Sequence, residues 1–434
     1  MSKPRSVGKG KTVDSDLVQR VSDYTSSWDQ APSNWGHSLH ALAPYVGGFP
    51  PELAHFFIRK YTKPGDTVLD PFAGGGTTPL EAGLHNRQAL ASDKFAYAAC
   101  LSKAKCNPIP DEQFRSYLDS KLEEAAAVSS DIDHLLNNDD LLTFFSEYTL
   151  TKLLRLQTVL EGDSSPEAIY LNALVCGILH GPNDRFLSLQ TKDTYSGSKN
   201  YVERYAERND LTKPERDLRP RIIDNHELAQ ESYIPPWLRE ETSVYQSGSR
   251  DLPFESNQAD LLVTSPPYLS KLDYTWNNWI RLWWLGVDRK SEQNDLDMTQ
   301  DLTAYREFIR DSLIEIDRVL KDDSVAVLVV GDVIKRLKNR NEVINIASLI
   351  REEATEHTGL EHHNSVIDDY GIDGRSYVTA NQTKYEYTDD KRDELATVDR
   401  CLVLTKGEPD TSRNPSIDWD VELYKKEYEG DLAE

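Results

Sequence analysis

Residues 67–78 read TVLDPFAGGGTT, and this stretch decides the fold. Its first four residues, Thr67–Asp70, predict a short buried strand. The glycines that follow allow a sharp turn, and the periodicity after them predicts a helix from Thr77 to about His85. A second strand, Gln88–Ser92, comes next and ends just before Asp93. A strand, loop, helix and strand in this order are typical of a doubly wound α/β sheet.

The same alternation returns further along the chain. The apolar run Ala259–Thr264 predicts a strand that leads into Ser265-Pro266-Pro267-Tyr268. A helix of about 19 residues from Leu302, a strand from Val325 to Val330, a helix from Glu342 to about His357 and a final strand from Cys401 to Leu404 are predicted after it.

Composition limits the class of protein. The 434 residues are 38% hydrophobic, enough for a sizeable core, and no apolar run is long enough for a membrane span or a secretory signal. The four cysteines form no Cys-x-x-Cys pair, so we expect reduced thiols in a cytoplasmic protein. The histidines His357, His362 and His363 lack supporting ligands, so no metal site is predicted. The net charge of -24 requires any nucleic-acid surface to be locally basic.

Polar and aromatic residues follow two strands of the predicted sheet. Asp93 lies 19 residues after Gly74, at the end of the second strand, where a carboxylate can accept hydrogen bonds from both hydroxyls of a ribose. At the end of the later strand, Ser265 and the carbonyls of two prolines offer acceptors, and Tyr268 offers a ring for stacking. Such acceptors can orient an exocyclic amino group, whose lone pair is otherwise delocalised into the base, and Tyr268 can stack on a flipped base.

Together the two segments resemble the S-adenosylmethionine-dependent DNA amino-methyltransferases, the cytosine-N4 and adenine-N6 site-specific DNA methylases. The resemblance rests on Asp-Pro-Phe-x-Gly-x-Gly-Thr at 70–77 and on Ser-Pro-Pro-Tyr at 265–268, and it covers roughly residues 45–106 and 245–405. It implies a Rossmann-like sheet of seven mostly parallel strands, the last antiparallel, with a largely helical insertion. It also implies S-adenosyl-L-methionine as cofactor, and a catalytic group consisting of Ser265, Pro266, Pro267 and Tyr268. A serine at the first position resembles the cytosine-N4 branch.

The resemblance further assigns residues to the cofactor. Asp70 is expected near its methionine end, and Asp251 near its adenine, although Ser247-Gly248-Ser249 stands where relatives often carry Gly-Asp. The other expected cofactor residues are Phe49, Pro50, Pro71, Phe72, Gly74, Gly75, Gly76, Thr77 and Asp93.

Five regions are predicted along the chain. They are a disordered basic arm (1–20), the cofactor half of the methyltransferase domain (21–110), an insertion that reads the target (111–244), the catalytic half (245–408) and an acidic tail (409–434). The chain looks helical over 111–181 and irregular over 182–250, and the tail is expected to pack poorly apart from the region of Trp419.

Double-stranded DNA is the expected partner, and a cognate restriction endonuclease is a second candidate. Basic residues between 185 and 221 are interleaved with tyrosines and predict either a phosphate-facing surface or a salt-bridged solvent face. The residues assigned to DNA are Arg185, Lys192, Lys199, Arg204, Lys335, Arg336 and Lys338.

The aromatic stripe after Tyr268 is predicted to be mostly core, with Tyr274 or Trp276 as an alternative flank for a flipped base. Cytosine C5 methylation is disfavoured because no Pro-Cys nucleophile loop occurs. The remaining alternatives are adenine-N6 methylation, RNA base methylation, a non-catalytic nucleic-acid-binding protein and, more distantly, a nicotinamide oxidoreductase.

Overall fold

The structure is a computed structural model that describes residues 18–24, 26–32, 35–128, 139–240, 242–269, 273–331, 333–337, 340–368, 399–417 and 419. Most of the predicted arm (1–17) and Lys338 lie outside the described residues. The strands are β1 (Val18–Arg20), β2 (Thr67–Asp70), β3 (Gln88–Ser92), β4 (Thr242–Tyr245), β5 (Ala259–Thr264), β6 (Leu320–Gly331), β7 (Val333–Leu337), β8 (Arg340–Ile344), β9 (Leu360–Asp368) and β10 (Asp399–Lys406).

The α-helices surround these strands in chain order. They are α1 (Pro51–Tyr61), α2 (Thr77–Leu84), α3 (Ala96–Cys106), α4 (Asp111–Ala127), α5 (Asp139–Phe144), α6 (Glu147–Leu160), α7 (Pro166–Ile178), α8 (Lys199–Asn209), α9 (Leu218–Ala229), α10 (Tyr274–Asn277), α11 (Trp279–Trp284), α12 (Arg289–Asp295), α13 (Leu302–Val319) and α14 (Ile346–His357).

The main sheet confirms the predicted fold. Its strand order is β1-β9-β10-β6-β5-β2-β3-β4, in which β4, β3, β2, β5 and β6 are mutually parallel and β10 is antiparallel to both β6 and β9. Seven of these strands form the expected sheet, and the short β1 adds an eighth by pairing parallel to β9. The chain order reverses between β2 and β5, so a crevice is expected outside the carboxyl ends of these two strands.

The central strands β2 and β5 are mostly apolar because helices cover both faces of the sheet. Val68, Leu261 and Val327 point into one buried cluster, which also contains α1, α2 and α3, while the neighbouring Leu69 and Leu262 point into a second cluster with α13 and α14. This alternation follows from the two-residue period of a strand. Because β2 and β5 are parallel, their carboxyl ends lie at the same edge of the sheet, where a ligand can bind.

The insertion is helical, and the expectation of irregular structure over 182–250 is wrong. Residues 199–209 and 218–229 form α8 and α9, and residues 242–245 form the edge strand β4. The side chain of Ser198 accepts a hydrogen bond from Tyr201 N–H and so caps α8. Only Val202 of α8 is buried, so this helix lacks the broad apolar stripe by which sequence reasoning finds helices.

The predicted helix 342–357 and the acidic tail also differ from expectation. The predicted helix 342–357 begins only at Ile346, because the residues before it form β8 in a hairpin with β7. Part of the acidic tail packs on α1, where Lys60 Nζ donates to Arg413 O at 2.6 Å and Trp419 is 9% exposed.

All four cysteines are free thiols, three of them buried, as predicted. Within the described residues no helix combines the length and the apolar character that crossing a bilayer demands.

Candidate active site

A cleft opens at the carboxyl ends of β2, β3 and β5. It brings residues of both sequence motifs to one place, as the reversal of strand order predicts. The predicted site residues that line it are Phe49, Pro71, Phe72, Gly74, Gly75, Thr77, Asp93, Ser265 and Pro267.

The glycine loop between β2 and α2 needs its glycines for two separate reasons. Gly74 and Gly76 have φ of +50° and +77°, values that side chains disfavour. A Cβ on Gly76 would also lie 2.9 Å from Ser102 Cα, so α3 approaches the loop too closely for any side chain. Gly76 therefore packs against α3 and does not line the cleft.

Two side chains of α3 hold the glycine loop. Lys105 Nζ donates to Gly75 O at 2.6 Å, and Ser102 Oγ donates to Gly74 O at 3.1 Å. Lys105 is buried, and burial lowers its pKa to about 8. The sequence does not reveal the role of Lys105 or Ser102, because each donates to a backbone carbonyl, a group that every residue has.

Asp70 ends β2 and is 1% exposed, directly beneath the cleft. Thr264 Oγ1 donates to Asp70 Oδ1 at 2.6 Å, and Phe72 N–H donates to the same oxygen at 3.2 Å. Burial nevertheless raises the pKa of Asp70 to about 7, because loss of hydration outweighs these hydrogen bonds. A cation bound above Asp70 would favour its charged form.

Asp93 ends β3 and lines the cleft. Its Oδ2 accepts from Gly74 N–H at 2.8 Å and its Oδ1 from Phe95 N–H at 2.9 Å, so it fixes both the glycine loop and the start of α3. Each carboxylate oxygen can accept more than one hydrogen bond, so a ribose can still be bound. Burial raises the pKa of Asp93 to about 6.

The Ser-Pro-Pro-Tyr segment continues from β5 into the cleft. Ser265 and Pro267 line it, Pro266 is buried and Tyr268 is partly buried. Tyr305 Oη donates to Pro267 O at 3.1 Å and thereby engages the second proline carbonyl. The Pro267 carbonyl thus already accepts one hydrogen bond within the fold, and Pro266 does not line the cleft.

Aromatic rings from several elements surround the cleft. Phe72 packs edge-on against Phe308 with ring centroids 5.9 Å apart, and both line the cleft. Tyr274 also lines it, whereas Trp276 is 40% exposed beneath the guanidinium of Arg289. Of the two candidates for flanking a flipped base, the structure therefore places Tyr274 in the cleft.

The segment that follows α12 was missed by sequence reasoning. Leu296, Asp297 and Met298 line the cleft. Asp297 forms ion pairs with Lys94, at 3.4 Å, and with Arg250. No sequence motif marks this segment. Its contacts with the site include ion pairs to Lys94 and Arg250, which follow β3 and β4.

Several predicted cofactor residues lie away from the cleft surface. Asp251 is exposed, and the lining residues of its loop are instead Gly248 and Ser249. Ser249 Oγ is hydrogen-bonded to Ser312 Oγ at 2.8 Å. Pro50 and Gly76 adjoin lining residues without contributing to the surface themselves.

The basic residues of the insertion divide into two groups. Arg185 is half-buried and donates to Asn225 Oδ1, and three later arginines are ion-paired with acidic residues, namely Arg216 and Arg221 with Asp184, and Arg219 with Asp119. Lys192 and Arg204 are exposed, and Lys199 is partly buried at the start of α8. Ser196 N–H donates to Asn277 O at 2.9 Å, which connects this segment to the end of α10, the helix that begins with the cleft residue Tyr274. Lys335 and Arg336 belong to β7, at the edge of the fold.

Comparison with known proteins finds similarity to DNA methyltransferases. The family described as "DNA methylase" matches residues 3–103. The Type II methyltransferase M.BsoBI of Geobacillus stearothermophilus is 23% identical over 300 residues, which cover 63% of this chain and 58% of that enzyme. The orphan methyltransferase M.BamHII of Bacillus amyloliquefaciens is 36% identical over 70 residues, covering 16% of this chain and 23% of that enzyme. The chain thus matches little more than half the length of the Geobacillus enzyme.

The chain was also matched to solved structures, at low TM-scores. The geranyl diphosphate C-methyltransferase of Streptomyces coelicolor A3(2) is 8% identical with a TM-score of 0.34, over 81% of this chain and 76% of that one. The TYW2 protein of P. horikoshii is 11% identical with a TM-score of 0.31, over 84% of this chain and 65% of that one.

Proposed function

We propose that this chain, which is similar to DNA methyltransferases, transfers a methyl group from S-adenosylmethionine to an exocyclic amino group in double-stranded DNA, and that the base is cytosine. The observation that carries the proposal is the bond between Thr264 and Asp70, which ties the two motifs together below one cleft. Ser265 and Gly74 line that cleft from its two sides.

The chemistry of the cleft suits the cofactor. Asp93 is assigned to the ribose, and Asp70 to the cationic methionine end. Phe72 and Phe308 supply apolar walls. When bound, S-adenosylmethionine supplies a methyl group on a positively charged sulfur, and a buried carboxylate beneath a cation is stabilised in its charged form.

The substrate amino group requires acceptors because its lone pair is delocalised into the ring. Ser265 Oγ and the Pro266 carbonyl are assigned to its two hydrogens, so that the lone pair is free to point at the methyl group. Tyr305 fixes the following carbonyl and thereby the path of the backbone. Tyr274 and Tyr268 are assigned to stacking on a base that has left the duplex.

Cytosine N4 is proposed as the target atom on the identity of residue 265. A serine there offers one hydroxyl in place of the carboxylate or amide found more often in adenine-N6 relatives. Everything else in the cleft is compatible with either base, so the product decides between them.

Duplex DNA is assigned to the side of the cleft that carries α8. Lys192, Lys199 and Arg204 lie on the segment that is hydrogen-bonded to residues 277–281. Exposed cations beside the mouth of a cleft can neutralise phosphates even though the whole chain is acidic. The arginines 216, 219 and 221 are left out, because acidic partners already hold them.

Methyl transfer by the purified chain tests the proposal. Radiolabelled S-adenosylmethionine is incubated with unmethylated genomic DNA or with total RNA, and the labelled nucleoside is identified after digestion. We expect N4-methyldeoxycytidine from DNA with the wild type, and loss of most activity with Ser265→Ala. The exposed Ser256→Ala serves as the matched control and should remain active. Label in adenine would refute the choice of base, and label confined to RNA would refute the choice of substrate.

A further inference from the structure

Three buried side chains with metal-ligand chemistry meet behind the glycine loop, outside the cleft. His55 lies on α1, Glu81 lies on α2, and His85 directly follows α2. One ligand atom from each lies within 4.8 Å of the other two. None of the three side chains is more than 3% exposed. His55 lies 26 residues before Glu81 in the sequence, and the cysteine and histidine spacings predicted no metal site.

The cluster is arranged around one carboxylate. His55 Nδ1 lies 3.2 Å from Glu81 Oε2, and His85 Nε2 lies 3.7 Å from the same oxygen. On the other side, His40 Nε2 lies 2.7 Å from Glu81 Oε1. Three imidazoles therefore face the two oxygens of a single buried Glu81.

Packing limits how these rings can move. The rings of His55 and His85 are 4.5 Å apart, edge to face. Trp35 packs on His55 at 4.8 Å, and Trp419 from the tail lies 5.5 Å from it. The aromatic shell holds the donor atoms in place and keeps water away from them.

We propose that His55 Nδ1, His85 Nε2 and the Glu81 carboxylate bind a zinc ion, and that His40 Nε2, hydrogen-bonded to the other oxygen of Glu81, orients this carboxylate. Two imidazole nitrogens and a carboxylate are ligands that suit Zn²⁺. Atoms that each lie about 2 Å from a tetrahedral zinc are roughly 3.4 Å apart. The separations of 3.2 Å and 3.7 Å at Glu81 Oε2 bracket that value.

The position of the site assigns the ion a structural role. The α2 helix begins at Thr77, immediately after Gly76, and α1 begins two residues after Phe49. A metal that joins α1 to α2 therefore fixes both segments that border the cleft. Because the ligands are buried away from the cleft, the ion stabilises the fold and takes no part in methyl transfer.

The full chain, prepared without a histidine tag, is used for the test. It is purified from zinc-supplemented medium without chelators, and its metal content is measured by mass spectrometry. We expect about one zinc per chain. His55→Ala and His85→Ala should each lower zinc affinity at least about tenfold. His357→Ala, which changes a partly exposed histidine on α14 paired with Glu353, is the matched control and should keep its zinc.

A second measurement, on the wild type, tests the proposal even where the variants fail to fold. Removal of the metal by a strong chelator should lower the Tm, and zinc should restore it. Cobalt loaded in place of zinc should give the intense visible absorption of a tetrahedral site. A chain that retains no metal after zinc loading, with a Tm indifferent to chelator, would overturn the proposal. So would zinc that remains stoichiometric in folded His55→Ala and His85→Ala variants.

Discussion

Thr264 Oγ1 donates a 2.6 Å hydrogen bond to Asp70 Oδ1 and thereby joins the last residue of β5 to the last residue of β2. Both residues are buried. The two residues are 194 positions apart in the chain, yet they come from adjacent strands at the point where the strand order reverses. Ser265 and Pro71, which follow them, consequently line one cleft.

Loss of the Thr264 hydroxyl should weaken this connection. Thr264→Val removes a donor from a buried carboxyl group, and we expect the free energy of unfolding to fall by about 1–3 kcal/mol. Urea denaturation measures the change, and Thr264→Ser, which keeps the hydroxyl, is the control. Equal stability of the valine variant and the wild type would show that the bond is not formed.

Cofactor affinity should decrease as the pH is lowered from 8 towards 5.5. Burial raises the pKa of Asp70 to about 7 and of Asp93 to about 6, so acid neutralises the carboxylate assigned to the cationic methionine end and the one assigned to the ribose. Calorimetric titration with S-adenosylmethionine measures this dependence. S-adenosylhomocysteine, whose sulfur is neutral, should show a weaker dependence, and Asp70→Asn should flatten the profile. Identical profiles for the two ligands would contradict the assignment of Asp70.

The same shifted groups make an opposite contribution to the stability of the free chain. Between about pH 4 and pH 7 the folded chain holds protons on Asp70 and Asp93 that the unfolded chain has lost. Their contribution to the free energy of unfolding therefore decreases as the pH rises through this window. Asp70→Asn removes most of that slope, which urea denaturation at several pH values detects. An unchanged slope would place the pKa of Asp70 near its usual value.

Gly76→Ala should damage the glycine loop more than backbone strain alone explains. Its φ is +77°, and the added Cβ would lie 2.9 Å from Ser102 Cα. Gly162 has nearly the same φ of +76°, with nothing within 4 Å of its Cβ position. Gly162→Ala therefore measures strain of about 1 kcal/mol, and Gly76→Ala should cost at least about 2 kcal/mol and lose cofactor binding. Equal costs for the two variants would mean that α3 does not press on the loop.

Asp297→Asn should raise the KM for the cofactor about three- to tenfold with little change in kcat. The variant weakens the ion pairs to Lys94 and Arg250 that draw Leu296 and Met298 over the cleft. Exposed pairs are individually weak, which limits the effect to about 1 kcal/mol. Asp295→Asn is the control, since Asp295 also pairs with Lys94 but does not line the cleft. A larger effect from residue 295 would contradict this account.

The local part of the site could be predicted from the sequence. The glycine loop, Asp93 and Ser265 belong to continuous segments in which a strand ends and a turn begins, so their placement follows from short-range patterning. The topology followed as well, because the alternation of strands and helices on both sides of the insertion requires a parallel sheet.

The remaining lining residues could not be predicted, because contacts between distant segments place them. Phe308 reaches the cleft from the middle of α13, and Asp297 through ion pairs. The helix α8 was missed because a single buried residue anchors it. The grouping of His55, Glu81 and His85 depends on how α1 packs against α2, which periodicity does not specify.

The central claim is that the two motifs form one site for methylating an amino group of DNA. Expression in a bacterial host that lacks DNA methylation, followed by digestion of its genomic DNA and mass spectrometry of the nucleosides, tests it most directly. The account predicts N4-methyldeoxycytidine with the wild type and none with Ser265→Ala. Unmethylated genomic DNA from cells that contain folded wild-type protein would contradict the claim.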